Sequence, residues 1–195
     1  MKRKFNLNRK NKIITVFGYN FPHRKTVDFI IQLYLNNYKL KVIAQNFKKL
    51  PCNPTAEKPK WGIHPKDLCK KLEIEYFVRD HNESIELLEG IGVVAGARIL
   101  SKEIVNKIPI INLHPGLLPQ ARGLNAVERS LEKNIPLGVT AHIIDEKVDA
   151  GEILFKKTIS MKKGETIEVL KERIYQLQLE MLVPVIRMCL KKYGK

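Results

Sequence analysis

Residues 91–123 read IGVVAGARILSKEIVNKIPIINLHPGLLPQARG. Two short runs rich in Val and Ile, at 91–95 and 108–111, flank an amphipathic segment at 101–106. A strand, a helix and a second strand in so short a span form a crossover unit, and strands that are apolar throughout belong to parallel sheets covered on both faces. Similar runs at 13–17 and 42–44 continue the pattern upstream. The expected class is therefore α/β, with a mostly parallel, doubly wound sheet and helices on both faces. The run at 108–111 then changes character. Asn112 and His114 follow it, two positions apart, and the period of a strand puts both side chains on one side. Pro115, Gly116 and Pro119 stop the strand directly afterwards, and the carboxyl ends of α/β strands are where ligands bind.

The remaining elements fall into place around this unit. We expect strands at 13–17, 40–44, 74–78, 91–95, 108–113, 138–144 and 151–160. Helices are expected at 23–37, 66–72, 82–88, 101–106, 124–133 and 165–192. The loop 47–65 carries the single Trp61 as a packing residue. The last helix bears an apolar stripe of Ile167, Leu170, Ile174, Leu177, Met181 and Val185, which suits packing on the sheet, and Pro184 should kink it.

A chain of 195 residues with 44% hydrophobic content suffices for one substantial core. We read residues 1–195 as one domain, with 1–11 a flexible basic tail. The formal net charge of +15 fits a lysine-rich solvated surface or an anionic small molecule. Aromatics do not interleave with the basic clusters, which disfavours nucleic acid and leaves a noncatalytic anion- or RNA-binding domain as a minor alternative. No apolar run approaches the roughly 20 residues needed to cross a bilayer, and no secretory signal follows the basic N-terminus. Cys52, Cys69 and Cys189 are far apart and without a CxxC pair, as reduced thiols of a cytoplasmic protein would be. Monomer and homodimer are both compatible with this reading.

Dinucleotide chemistry does not fit. The first strand runs into FGYNFPHRKT, where Gly18 is the only glycine, so the GxGxxG turn is missing. His23, Arg24, Lys25 and Thr26 could still set cationic groups at a helix start, and Arg24 and Lys25 are taken as substrate-binding candidates. No HxH or HExxH spacing points to a metal. His64 and His81 sit among polar loop residues and receive no role. His142, inside an apolar strand, reads as a core histidine bonded to backbone, and Asp145 and Arg122 read as loop residues.

Residues 93–123, together with LGVTAHIIDEKVDAGEIL at 137–154, resemble the folate-dependent formyltransferase family. The resemblance implies a Rossmann-like fold and a catalytic trio of Asn112, His114 and Asp149. Asp149 is preferred to Asp145 because the family's acidic residue lies in a DxGxI pattern, here 149–153. It further implies that Arg98, Ile99 and Leu100 line the folate pocket, partly through backbone groups, and that the loop 144–149, with Ile144 and Asp145, closes over the pterin. Gly123 would allow close backbone approach to substrate. The implied donor is 10-formyltetrahydrofolate as co-substrate, without a metal, and the acceptor is a small-molecule primary amine.

These residue types suit that chemistry. An amine attacking a formamide-like carbon builds negative charge on oxygen, and Asn112 can donate an N–H to it. His114 can move protons between the attacking and departing nitrogens, and a carboxylate at Asp149 is expected to orient the ring and raise its pKa. For the acceptor, the glycinamide ribonucleotide type is the nearest expectation, although the glycine-rich phosphate loop of those enzymes is not in FGYNFPHRKT. On the expectation that the last helix ends the protein, a tRNA acceptor is disfavoured. An amino-sugar nucleotide acceptor and a hydrolase releasing formate from the same folate are the alternatives.

Overall fold

Burial on both sides shapes the centre of the sheet. In the computed structural model, which describes residues 13–47 and 62–193, β1 (Ile13–Tyr19) and β2 (Lys39–Gln45) are buried along nearly their whole length. The basic tail 1–11, Cys52 and Trp61 lie outside the described residues. The further strands are β3 (Glu75–Val78), β4 (Ile91–Val94), β5 (Ile110–His114), β6 (Leu137–Ile143) and β7 (Ile153–Ile159). The helices are α1 (Arg24–Leu35), α2 (Pro65–Lys71), α3 (Lys102–Lys107), α4 (Ala126–Glu132) and α5 (Ile167–Tyr193).

The strands form one seven-stranded sheet in the order β3-β2-β1-β4-β5-β6-β7. The first five are parallel; β6 and β7 are antiparallel additions. Chain progression reverses at β1, with β2 on one side and β4 on the other, so a crevice opens at their carboxyl ends. Adjacent residues separate to the two faces. Val16, Ile111 and Leu113 pack with α1 and α5, whereas Phe17 and Ile110 pack with Ile104 and Val105 of α3. The doubly wound reading holds, with helices on both faces.

One sequence expectation is modified. Residues 82–88 form no helix; two 3₁₀ turns, His81–Glu83 and Ile85–Leu87, replace it. The first is closed by its own cap, with Asp80 accepting the Asn82 N–H at 3.0 Å and Ser84 Oγ donating to the Asp80 carbonyl at 2.6 Å. The last helix, Ile167–Tyr193, holds Pro184 within its span. A proline inside a helix costs ~3 kcal/mol. Each fully buried aliphatic side chain returns ~1.5–3 kcal/mol, and α5 buries Leu170, Ile174, Leu182, Val185 and Ile186 nearly completely, so the packing outweighs the proline.

Candidate active site

β5 and β6 pair so that Asn112 faces His142 and His114 faces Thr140. Since Leu113 and Ala141 turn towards α5, alternation sends these four residues to the α3 side, beyond the point where the α3 core ends at Ile110. Asn112 Nδ2 lies 3.3 Å from His142 Nε2. The Asp149 carboxylate reaches both rings, with Oδ1 3.5 Å from His142 Nε2 and Oδ2 3.5 Å from His114 Nδ1. His114 Nε2 approaches the Ala121 carbonyl at 2.5 Å. The trio named from sequence therefore meets, joined by His142. That ring does face a backbone carbonyl, Ile143 at 3.2 Å, as a core histidine would, but its other nitrogen belongs to the cluster.

Loops hold the remaining pieces. Thr140 Oγ1 donates to the Gly116 carbonyl at 2.7 Å and accepts the Leu118 N–H at 3.0 Å, which secures the segment that presents Ala121 to His114. Arg129 of α4 bonds the carbonyls of Arg122 and Leu124. Between them, Gly123 has φ +81° and donates its N–H to Asp149 Oδ2 at 2.8 Å. Asp149 itself adopts φ +50°, a left-handed conformation that Asp and Asn tolerate best among residues with a side chain. Two residues on, Gly151 leaves no room for a side chain: an added Cβ would sit 1.8 Å from the Ile143 carbonyl oxygen. Gly151→Ala should therefore destabilise the fold by about 3 kcal/mol, lowering Tm by roughly 6–12 °C in a thermal unfolding scan, and displace Asp149.

Burial is the largest influence on His114 and pushes its pKa below 6.5. Asp149 and the Ala121 carbonyl oppose the fall, while His142 and Lys25 add to it. Asp149 does raise the imidazole, as expected from the sequence, but desolvation outweighs the carboxylate. For Asp149, burial alone would raise the carboxyl, but the His142 ring, the Gly123 N–H and the charge of His114 outweigh it and bring the pKa to about 2. A neutral His114 thus rests against an ionised Asp149. Its Nε2–H donates to Ala121, and the Nδ1 lone pair faces the carboxylate, so a proton arriving at Nδ1 is received between the two groups. A neutral His142 cannot satisfy all three neighbours. With its proton on Nδ1 it donates to Ile143 and accepts from Asn112; with the proton on Nε2 it donates to Asp149.

The other expected site residues divide. Ile99 is 73% exposed on the loop after β4, while Leu100 is buried in the α3 core. Arg98 is close enough to act on Tyr19 at the end of β1. Ile144 is partly buried against the α3 core, and Asp145 Oδ1 accepts the Glu146 N–H at 2.6 Å. Arg24 is engaged by a partner in this structure: both its terminal nitrogens bond Glu172 of α5, at 2.6 and 2.7 Å, which ties α1 to α5. His23 caps α1, held neutral by burial and by Lys25 with a pKa of about 4. Lys25 remains: half-buried, 5.1 Å above the Phe29 ring, its ammonium pushed down to about 8 by burial. His81, given no role from sequence, is 1% exposed. Among the described residues, no group of three or more His, Cys, Asp or Glu is arranged to hold a metal, and no helix is long and apolar enough to cross a membrane.

Known proteins match the chain in sequence and in fold. The formyl transferase family model matches residues 41–186. The chain is 33% identical over 135 residues to methionyl-tRNA formyltransferase of Thermotoga maritima, covering 68% of this chain and 42% of that protein. It is 28% identical over 135 residues to phosphoribosylglycinamide formyltransferase of Bacillus subtilis, covering 68% of this chain and 69% of the relative. In fold it resembles phosphoribosylglycinamide formyltransferase from Bacillus halodurans, with a TM-score of 0.71 at 21% identity over 94% of this chain and 100% of that one. A sugar N-formyltransferase from a Shewanella species aligns with a TM-score of 0.66 at 22% identity, over 93% and 71% of the two chains. The chain spans less than half of the methionyl-tRNA formyltransferase it matches. With matching sequence over three quarters of its length and the same sheet beneath it, this chain belongs to the formyl transferase family.

Proposed function

We propose that the protein moves the formyl group of 10-formyltetrahydrofolate to a primary amine of a small-molecule acceptor. The observation that carries the reading is the convergence of Asn112, His114 and Asp149 at the carboxyl end of β5, with an ionised carboxylate facing the proton-accepting nitrogen of a neutral imidazole. As the acceptor nitrogen bonds to the formyl carbon, charge gathers on the formyl oxygen, and an Asn112 Nδ2 hydrogen stabilises it. His114 Nδ1 takes the proton the amine loses, Asp149 stabilises the imidazolium, and the proton passes to the departing folate nitrogen as its bond to carbon breaks. His142 orients the Asn112 amide in one tautomer and the Asp149 carboxylate in the other.

The carboxyl edge has features that suit a pteridine. Ile99, Leu124 and Val148 are 73%, 71% and 56% exposed, and sit on the three loops that carry or adjoin the cluster. They offer apolar cover, with Arg98, Ile144 and Asp145 as neighbours and the Leu100 backbone for hydrogen bonds. The phosphoribosylglycinamide formyltransferase relative supports that type of acceptor, methionyl-tRNA formyltransferase is matched as well, and an amino-sugar nucleotide is the alternative. Lys25, whose charge reaches His114, is the cation for an anionic acceptor. Lys25→Met keeps the stem and removes the charge; it should raise the acceptor KM tenfold or more and move the acidic limb of the pH profile upward, since Lys25 lowers the His114 pKa.

The direct test supplies 10-formyltetrahydrofolate with a panel of amines, including glycinamide ribonucleotide and amino-sugar nucleotides, and follows tetrahydrofolate release. Amine-dependent release is expected. Formate release without any amine would make the protein a hydrolase, and no release with any amine would overturn the proposal.

A further inference from the structure

The connection between β3 and β4 joins two parts of the sheet edge. His81 Nε2 lies 3.1 Å from both the Gly18 and the Ile43 carbonyls, which pins the first 3₁₀ turn onto the ends of β1 and β2. Phe17 meets the same ring edge-on at 5.3 Å. From this anchored turn, the next side chain reaches across to the loop that follows β4. Asn82 Nδ2 donates to the Ile99 carbonyl at 3.2 Å, and Asn82 Oδ1 accepts the Ser101 N–H at 2.7 Å. One planar amide therefore grips the chain on both sides of Leu100.

This grip decides what the loop presents. Leu100 is 6% exposed and turned into the α3 core, whereas Ile99 beside it is 73% exposed. With Leu100 buried and the backbone tied at Ile99 and Ser101, the Ile99 side chain is held outward at the carboxyl edge. A mobile loop would lose conformational freedom on binding a flat ligand; a clamped one has lost it already.

We propose that Asn82 is a positioning residue for the formyl donor, fixing the 98–101 loop against which the pteridine packs. The inference rests on the assignment of that loop to the donor under the proposed function. Both polar ends of the amide are engaged by the loop, so Asn82 acts on donor binding and not on the chemical step.

Asn82→Ala should raise the KM for 10-formyltetrahydrofolate roughly ten- to thirtyfold, from two lost hydrogen bonds, with kcat at saturating donor within about twofold of wild type. Ser101→Pro is an independent probe. Ser101 has φ −69°, which suits proline, and the substitution deletes the N–H that Asn82 accepts. It should raise the same KM by about threefold to tenfold and add little to Asn82→Ala in the double variant. In the ligand-free protein, the Ser101 amide should exchange hydrogen faster once Asn82 is alanine, a readout that needs no turnover. An unchanged donor KM in folded Asn82→Ala, an equal fall in kcat, or unaltered exchange at Ser101 would overturn the inference alone. Failure of wild-type protein to bind the folate at all would overturn the donor reading with it.

Discussion

Asp149→Asn is expected to slow formyl transfer on the order of 10³-fold while leaving the fold intact. The substitution is isosteric, and asparagine accepts the left-handed backbone at φ +50° as readily as aspartate does. Its amide oxygen can still receive the Gly123 N–H, which is 2.8 Å from the native carboxylate. What disappears is the negative charge facing His114 Nδ1, and with it the stabilisation of the imidazolium that forms as the amine is deprotonated. A second signature is thermodynamic. The folded carboxyl has a pKa of about 2 against an ordinary 3.8. A pKa lowered by folding contributes stability above the unfolded value that is lost as pH falls through the folded one, here up to about 2 kcal/mol. The stability gap between wild type and variant should be widest above about pH 4 and narrow towards pH 2, as denaturant unfolding at a series of pH values would show. Turnover within tenfold of wild type would remove Asp149 from the mechanism.

How the carboxylate comes to face the ring explains what could be read from sequence. The strand runs at 13–17, 42–44, 91–95 and 108–111 are continuous in Val and Ile because both faces of the sheet are covered, and that pattern is local. Asn112 and His114 were legible for the same reason: they lie within one strand, two steps apart. Asp149 was reached through the resemblance, and its physical signature, Gly151 packed against the Ile143 carbonyl, appears only in three dimensions. His142 was half legible. Its place in an apolar strand was evident, but its meeting with Asn112 depends on the antiparallel register of β6 on β5, which pairs residues 30 apart and leaves no trace in either strand alone. His81 looked like a polar loop residue, and Asn82 like the first residue of a helix. Burial of His81 against two strand ends comes from tertiary closure, which also converts the expected helix into 3₁₀ turns. The pairing of Arg24 with Glu172, 148 residues away, could not be read from either segment alone.

His114→Ala should reduce transfer by a factor similar to Asp149→Asn, and the double variant should be little worse than the poorer single one, because the two side chains handle one proton. Simple multiplication of the losses would mean that each group acts on its own. Some destabilisation, about 1–3 kcal/mol, accompanies the loss, since the Ala121 carbonyl is left without its buried donor. Wild-type enzyme therefore gives the cleaner measurement. A base must be neutral to accept a proton, so kcat/KM for the donor at saturating acceptor should fall with acidification through the His114 pKa. Burial holds that pKa below 6.5, so the acidic limb should inflect below 6.5 and activity should already be level at neutral pH. An inflection above 6.5 would mean that the Asp149 charge prevails over desolvation, and that His114 enters the reaction as an imidazolium donating to the oxyanion. The two cases also differ in how they respond to removal of the carboxylate. For a neutral base, Asp149→Asn lowers the plateau and moves the limb further to acid, because the charge that favours protonation is gone. For a resting imidazolium, the same change deprotonates the ring across the neutral range and takes the activity with it.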